Sequence, residues 1–360
     1  MLLDEKYKIN RPKSYSDSQS VDTRLKLHKN ENRDEAYTNS LLRRVRERIS
    51  VSWLVEYPDM SSLYAQVAEI DGVHRDQLIF SAGADGIIRH IYEAFSKEKA
   101  LAIYPSPTFA MYEVYSSIFN YQNIIIRYVK KGKKFSLDVM SIVEKIKSQK
   151  PQVFFLANPD SPTGSVLSQE EIELILKVAL NVNTCVAIDE AYYPFHNESC
   201  VNLINRYSNL IVIRTFSKAW GLAGARVGYA ISNREIIDRL TKIKPMYEIG
   251  YLSMMCALVA AQNSKEMLES VARLNVGKAY FEKSMTELGY EVMEAHGNFS
   301  LIAFGSDRDR IHEAINDSVS YRDRFSDPLL EDYARFSSTT KNKFELIVDK
   351  IRQAVCQKNV

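Results

Sequence analysis

Cysteine and tryptophan are scarce in this 360-residue chain, at four and two residues. Cys185, Cys200, Cys256 and Cys356 are scattered with no pair at metal spacing, which argues against a disulfide framework and a cysteine-held metal. The six histidines are equally dispersed. None forms an i,i+4 pair, so no metal site is expected, and His74, His90 and His312 read as ordinary surface or core residues. Charge of one sign is also in short supply. A formal net charge of +2 leaves no excess to hold a polyanion, so nucleic acid is not expected as a partner. Long apolar runs are lacking. Met254 to Ala261 is too short to span a bilayer, and Met1-Leu2-Leu3-Asp4-Glu5-Lys6 is acidic too early for a signal peptide. A reduced, cytoplasmic protein with no membrane role is the resulting expectation. What is present, 46% hydrophobic and 26% charged residues, supplies a large core and suggests two domains, or one large and one small.

The first forty or so residues are polar and poor in periodicity, and residues 16–20 look mobile when free. From Leu78 onward short apolar runs alternate with helical segments. Strands are expected at Leu78-Ile79-Phe80, Ala100 to Tyr104, Ile124 to Val129, Val153-Phe154-Phe155-Leu156, Cys185-Val186-Ala187-Ile188 and Leu210-Ile211-Val212-Ile213. Helices are expected at Ala84 to Ser96, at Leu137 to Ile146, and after Ser168, where Glu171 completes a capping box. This alternation implies a mostly parallel sheet with helices on both faces. Beyond Pro245 the pattern is first helical. Ser300 to Phe304 and Tyr333 to Ser337 then read as strands of a smaller α+β unit. We divide the chain into a large domain over 49–250 and a small one formed by 1–48 with 251–360.

Sheets of this kind bind ligands at the carboxyl ends of their strands. Asn158 follows one apolar run, Asp189 ends another, and Thr215 to Lys218 follow a third. In Arg214-Thr215-Phe216-Ser217-Lys218-Ala219-Trp220-Gly221-Leu222-Ala223-Gly224-Ala225-Arg226, a lysine stands between two hydroxyls and a guanidinium fork. An amine able to bond a carbonyl carbon, beside groups that hold phosphate, is what pyridoxal phosphate chemistry needs. Asp189, in Ile188-Asp189-Glu190-Ala191-Tyr192, is costly to bury without a positive partner. A pyridinium nitrogen would be one; a helix cap or a core ion pair would also account for it. Ser81-Ala82-Gly83-Ala84-Asp85-Gly86 leads a strand into a helix, where backbone amides can hold an anion.

With Asn158-Pro159-Asp160-Ser161-Pro162-Thr163-Gly164, these segments resemble the fold-type I aminotransferases, and within them the histidinol-phosphate aminotransferase family. The resemblance runs from about Leu25 to Ser337. It implies an α/β fold whose large domain holds a mostly parallel seven-stranded sheet between helices, a pyridoxal 5'-phosphate cofactor, and a homodimer. By the same resemblance Lys218 carries the cofactor covalently, Asp189 meets the ring nitrogen, and Tyr192 and Asn158 reach the ring's phenolic oxygen. Gly83, Ala84, Asp85, Thr215, Ser217 and Arg226 surround the phosphate, Phe109 stacks on the ring, and Tyr57 reaches the phosphate of the partner subunit. Tyr192 and Phe109 could instead be packed aromatics, and Tyr57-Pro58-Asp59 a plain turn.

Arg335, in Tyr333-Ala334-Arg335-Phe336-Ser337, matches the arginine that grips an α-carboxylate, and Asn30 belongs to a matching Asn30-Glu31-Asn32. Arg322 is the better match for a distal-phosphate ligand, with Arg324 as the other candidate. Several positions depart from the family: Gly86 replaces a glutamate, Arg33 a proline, and Glu248 an asparagine. The resemblance implies transfer of an amino group from a small, phosphorylated amine to 2-oxoglutarate. The alternatives are decarboxylation of threonine or serine phosphate on the same scaffold, and a cofactor-sensing regulatory module.

Overall fold

A computed structural model of the chain describes residues 22–356, so the expectation for residues 16–20 lies outside it. The amino-terminal part holds β1 (Leu25–Leu27), α1 (Glu35–Arg46), α2 (Ser52–Val55) and α3 (Ser61–Asp71). The central part runs β2 (Leu78–Ser81), α4 (Gly83–Ala94), β3 (Leu101–Ser106), α5 (Met111–Ile118), β4 (Gln122–Arg127), β5 (Val129–Lys131), β6 (Lys134–Ser136) and α6 (Val139–Gln149). It continues through β7 (Val153–Ala157), α7 (Gln169–Asn181), β8 (Cys185–Asp189), β9 (Leu210–Thr215), β10 (Gly228–Ser232) and α8 (Arg234–Thr241). The remainder is α9 (Tyr251–Gln262), α10 (Ser264–Glu287), β11 (Glu291–Met293), β12 (Phe299–Ala303), α11 (Arg308–Ile315), β13 (Val319–Tyr321), β14 (Tyr333–Ser337) and α12 (Lys341–Cys356).

Seven strands form one sheet in the order β2-β10-β9-β8-β7-β3-β4, with β10 alone antiparallel to its neighbours. Strands β7, β8 and β9 are buried along their whole length, as strands covered on both faces must be. Their side chains divide between two apolar clusters. Phe154, Leu156, Val186, Ile188 and Val212 pack on one side. Val153, Phe155, Cys185, Ala187, Ile211 and Ile213 pack on the other. This period of two is what a strand imposes. A third cluster joins Phe281, Phe336 and Phe344 beneath the antiparallel sheet β11-β12-β14. Helix α9 shares its core with α1 and α3 through Met254, Ala257 and Val259. All four cysteines stand free. No helix among the described residues is long and apolar enough to cross a membrane.

Several boundaries differ from the sequence expectation for identifiable reasons. The helix expected from Leu137 starts at Val139 because the Asp138 carboxylate accepts from the amides of Met140 and Ser141 and so caps it. The run Ile124 to Val129 is split between β4 and the β5–β6 hairpin. The supposedly structureless start contains β1, paired in parallel with β13, and α1, which Asp34 caps and whose Tyr37, Leu41 and Val45 form a buried stripe. Strand β10 has no counterpart in the expectation. Its five residues follow the Lys218 segment too closely to stand out as a separate run. The capping box of α7 forms as expected: Ser168 N donates to Glu171 at 2.8 Å, and Glu171 N to Ser168 Oγ at 3.3 Å.

Candidate active site

The ends of β7, β8 and β9 converge on a cavity of about 220 Å³. Ala84, Asp85, Phe109, Asp189, Tyr192, Thr215, Ser217, Lys218 and Arg226 all line it. Residues separated by more than one hundred positions thus meet because parallel strands deliver their carboxyl ends to one side.

One wall is an anion cradle. Thr215 Oγ1 lies 3.0 Å from Ser217 Oγ and accepts from Ser217 N at 3.1 Å, and Arg226 Nη1 reaches Ser217 Oγ at 3.4 Å. The amino-terminal turn of α4, with its unpaired amides, adds partial positive charge. Gly83 must be glycine here. Its φ is +80°, and a Cβ would stand 2.6 Å from Arg226 Nη2. We expect Gly83→Ala to displace Arg226 and to destabilise the fold by about 1–3 kcal/mol. Urea unfolding together with a pyridoxal phosphate titration of the apoprotein checks this; parental values in both would contradict it.

Asp189 is 4% exposed and forms no salt bridge among the described residues. Tyr112 OH donates to its Oδ2 at 3.1 Å and Ala191 N to its Oδ1 at 3.0 Å. Burial pushes its pKa up to about 6, against the pull of those two donors. The Lys218 charge also favours the ionised form, as the least of these influences, and a cation in direct contact would hold the carboxylate charged. A heterocycle bearing a protonated nitrogen and a phosphate fits a cavity that offers this carboxylate and the anion cradle together. That is the arrangement pyridoxal phosphate requires.

Lys218 Nζ donates to the Lys29 carbonyl at 2.8 Å and lies 5.7 Å from the centre of the Tyr192 ring. Burial presses its pKa below the usual lysine value, Arg335 and Arg226 push the same way, and Tyr192 and Glu31 oppose. The effect is a larger share of free amine near neutrality. Tyr192 OH accepts from Asn30 Nδ2 at 2.9 Å. Asn30 is itself fixed by Ser337 Oγ, to which its backbone amide donates at 2.8 Å. Asn32 Nδ2 donates to the Ala219 carbonyl at 2.9 Å, holding the turn that follows Lys218.

A second cavity of about 500 Å³ adjoins the first and shares Phe109, Ser161, Tyr192 and Lys218 with it. Asn30, Arg322 and Arg335 line this cavity. Arg335 Nη1 donates to Ser161 Oγ at 2.9 Å and Nη2 to the His28 carbonyl at 3.0 Å, while its buried Nε has no partner. Arg322 faces the Phe325 ring at 4.7 Å and forms no salt bridge among the described residues. Burial lowers the pKa of both guanidiniums, and for Arg335 the neighbouring Arg322 adds to the effect. Arg324, the other candidate for a distal ligand, points away and pairs with Asp309 at 2.7 Å.

Three expected cofactor residues do not line the cavity: Gly83, which abuts Arg226 behind it, Asn158 and Tyr57. The Asn158 side chain is committed to Leu167: its Nδ2 donates to the Leu167 carbonyl at 3.1 Å and its Oδ1 accepts from Leu167 N at 2.8 Å. It lines a different cavity with Tyr128 and His296, next to Ala157 and Pro159 of the cofactor cavity. Tyr57 is 75% exposed and stacks on Tyr247 at 4.1 Å, away from this chain's own cavity. Three further residues carry the site. Tyr112 holds Asp189. Ser161 holds Arg335. Asp160, fully buried and raised by burial to about 6, accepts from the hydroxyls of Thr108 and Thr163 and so ties the Phe109 loop to the Asn158 loop. Asp160 and Ser161 lie inside the Asn158 to Gly164 segment already singled out, and Tyr112 follows three positions after Phe109.

A profile of the aminotransferase class I and II family matches residues 23–351. A histidinol-phosphate aminotransferase of Thermoanaerobacter pseudethanolicus is 34% identical over 299 residues, 82% of this chain and 83% of that protein. The Sinorhizobium meliloti histidinol-phosphate aminotransferase, solved with pyridoxal-5'-phosphate, shares the fold with a TM-score of 0.80 at 18% identity, covering 92% of this chain and 91% of that one. L-threonine-O-3-phosphate decarboxylase of Porphyromonas gingivalis shares it with a TM-score of 0.76 at 18% identity, covering 92% and 99%.

Proposed function

The chain belongs to the aminotransferase class I and II family of pyridoxal-phosphate enzymes, and from that premise we propose that its amino donor is a small phosphorylated amine of the L-histidinol phosphate kind, with 2-oxoglutarate as acceptor. The observation that carries this reading is the pair Arg322 and Arg335. Two guanidiniums that form no salt bridge among the described residues line one cavity that also receives Lys218. Such forks suit phosphate and carboxylate, and a substrate anion restores the charge balance that burial disturbs.

Bound pyridoxal phosphate supplies an electron-poor ring that draws electrons from a bond at the substrate's reacting carbon. The residues of the chain do the rest. Thr215, Ser217, Arg226 and the start of α4 bind the phosphate. Asp189 would hold the proton on the ring nitrogen. The Lys218 amine, its proton affinity lowered by burial, would move the proton at the substrate's reacting carbon. Tyr192, fixed by Asn30, is placed beside that amine. Arg335 orients the amino acid or oxo acid in the return half of the cycle. In this reading the protein is a cytoplasmic homodimer. The exposed Val51, Leu54, Val55, Tyr57, Met246 and Tyr247 face a second copy, and Tyr57 extends toward its cofactor phosphate.

The test follows the cofactor's absorbance through single half-reactions with L-histidinol phosphate, its unphosphorylated analogue, phospho-amino acids and glutamate. L-Histidinol phosphate should convert the cofactor fastest, and 2-oxoglutarate should reverse the change. Arg322→Gln should lower kcat/KM for the phosphorylated amine by roughly 10–100-fold while sparing the unphosphorylated one. An equal loss on both would remove Arg322 from the phosphate site. Carbon dioxide release from a phospho-amino acid without any oxo acid would replace transamination by decarboxylation.

A further inference from the structure

Two of the departures from the family pattern, Gly86 and Glu248, are far apart in sequence but adjacent in space. A Cβ at Gly86 would lie 3.2 Å from Glu248 Oε1 and 2.1 Å from Ser81 Oγ. Glu248 sits in the loop between α8 and α9, yet its carboxylate reaches the turn from β2 into α4. Ser81 Oγ donates to Glu248 Oε1 at 3.0 Å, and His90 Nε2 lies 3.1 Å from Oε2 and 3.3 Å from Oε1. Gly86 and His90 are four residues apart and so share one face of α4. Ser81 and His90 are both buried.

We propose that Glu248 is a positioning residue for the phosphate end of the cofactor, acting through Ser81 and His90 rather than by touching the phosphate. The geometry carries this in three ways. Ser81 is the last residue of β2 and stands two positions before Gly83, which abuts Arg226; fixing Ser81 therefore fixes the start of the cradle. Next, a carboxylate beside the first turn of α4 meets the positive end of that helix. The resemblance described above implies a glutamate on the helix itself at position 86. Here the helix bears glycine, and the acid comes from the loop. Lastly, the neighbouring Tyr247 stacks on Tyr57 with an interplanar angle of 22°. The carboxylate that braces the cradle thus also anchors the loop presenting this exposed aromatic pair. Glu248 does not line the cofactor cavity, so its role is to hold other groups in place.

The proposal rests on pyridoxal phosphate occupying the cavity, and the test reads its binding rather than turnover. Apoproteins of the parent and its variants are titrated with pyridoxal phosphate, followed by absorbance and by quenching of protein fluorescence, and their thermal midpoints are recorded without cofactor. Glu248→Ala should weaken binding about tenfold or more, while Glu248→Gln, which keeps a hydrogen-bonding partner for Ser81, should stay within about threefold of the parent. Moving the acid onto the helix should crowd Ser81 in Gly86→Glu alone and weaken binding. The triple change Ser81→Ala, Gly86→Glu, Glu248→Asn should restore it. Parental affinity in Glu248→Ala would overturn the proposal. So would equal losses in the alanine and glutamine variants that track a common fall in the cofactor-free midpoint. If the parent itself fails to bind pyridoxal phosphate, the cofactor assignment falls and this proposal with it.

Discussion

Replacing Lys218 by alanine should abolish turnover while leaving pyridoxal phosphate bound noncovalently. The cradle of Thr215, Ser217, Arg226 and the start of α4 and the Asp189 carboxylate do not depend on the lysine side chain, so affinity should fall far less than rate. The rate loses both the covalent attachment point and the proton carrier. Positioned acid–base groups alone contribute about 10²–10⁴-fold, so a loss of at least about 10³-fold is expected. The absorbance of the bound cofactor should shift toward that of the free aldehyde, and added small amines should recover part of the rate. Turnover within tenfold of the parent would show that another group carries the proton.

The second large effect is on the pH dependence of the apoprotein. Asp189 and Asp160 both have their acid forms favoured by burial, with pKa values near 6. A carboxyl raised in the folded state adds stability that is fully present below the unfolded value of about 3.9 and lost as pH rises through the folded value. The window is therefore about pH 4 to 6, with stability falling as pH rises, by on the order of 3 kcal/mol for each group if fully expressed. The Asp189 charge adds a small upward push on Asp160. Other acids, such as Glu291, are shifted downward and slope the opposite way, so the comparison must be between variants. Asp189→Asn should flatten the apoprotein's urea-derived stability profile across this window. It should also weaken pyridoxal phosphate binding, because the ring nitrogen loses its counter-charge. In the parent, the bound cofactor should flatten the same slope by holding Asp189 ionised. Coincident profiles for parent and variant would mean that Asp189 does not titrate in this range.

The parts of this protein that were readable from sequence are those where one physical demand dominates a short run. Buried strands announce themselves as unbroken apolar segments, as in Val153 to Ala157 and Leu210 to Ile213, and Ser168 with Glu171 announces a helix start. The residues that face the cofactor cavity are readable because their chemistry is unusual for their setting: a lysine beside two hydroxyls, and an acid closing an apolar strand. What was not readable depends on long-range partners. Asn158 stands in the expected motif, and its pairing with Leu167, nine residues away, is not written in that motif. Ser161 and Tyr112 matter only through Arg335 and Asp189, which no local pattern discloses. The fit between Gly86 and Glu248 requires knowing that a loop 162 residues downstream returns to the same helix face. Strand β10 was missed because five residues directly after a turn give no periodicity to count.

That same strand determines how the lysine segment is anchored. Thr215 and Gly228 are paired across β9 and β10, so the stretch between them leaves the sheet and returns to adjoining backbone positions. Phe216 N donates to the Val227 carbonyl at 2.9 Å, and Leu222 N to the Phe216 carbonyl at 2.9 Å, which closes the base of the excursion. A loop knotted at its root in this way does not have to find its shape when the coenzyme arrives. Reconstitution of stripped enzyme should accordingly be a simple bimolecular event, with a rate proportional to coenzyme concentration, and the amides at that root should resist deuterium exchange equally before and after loading.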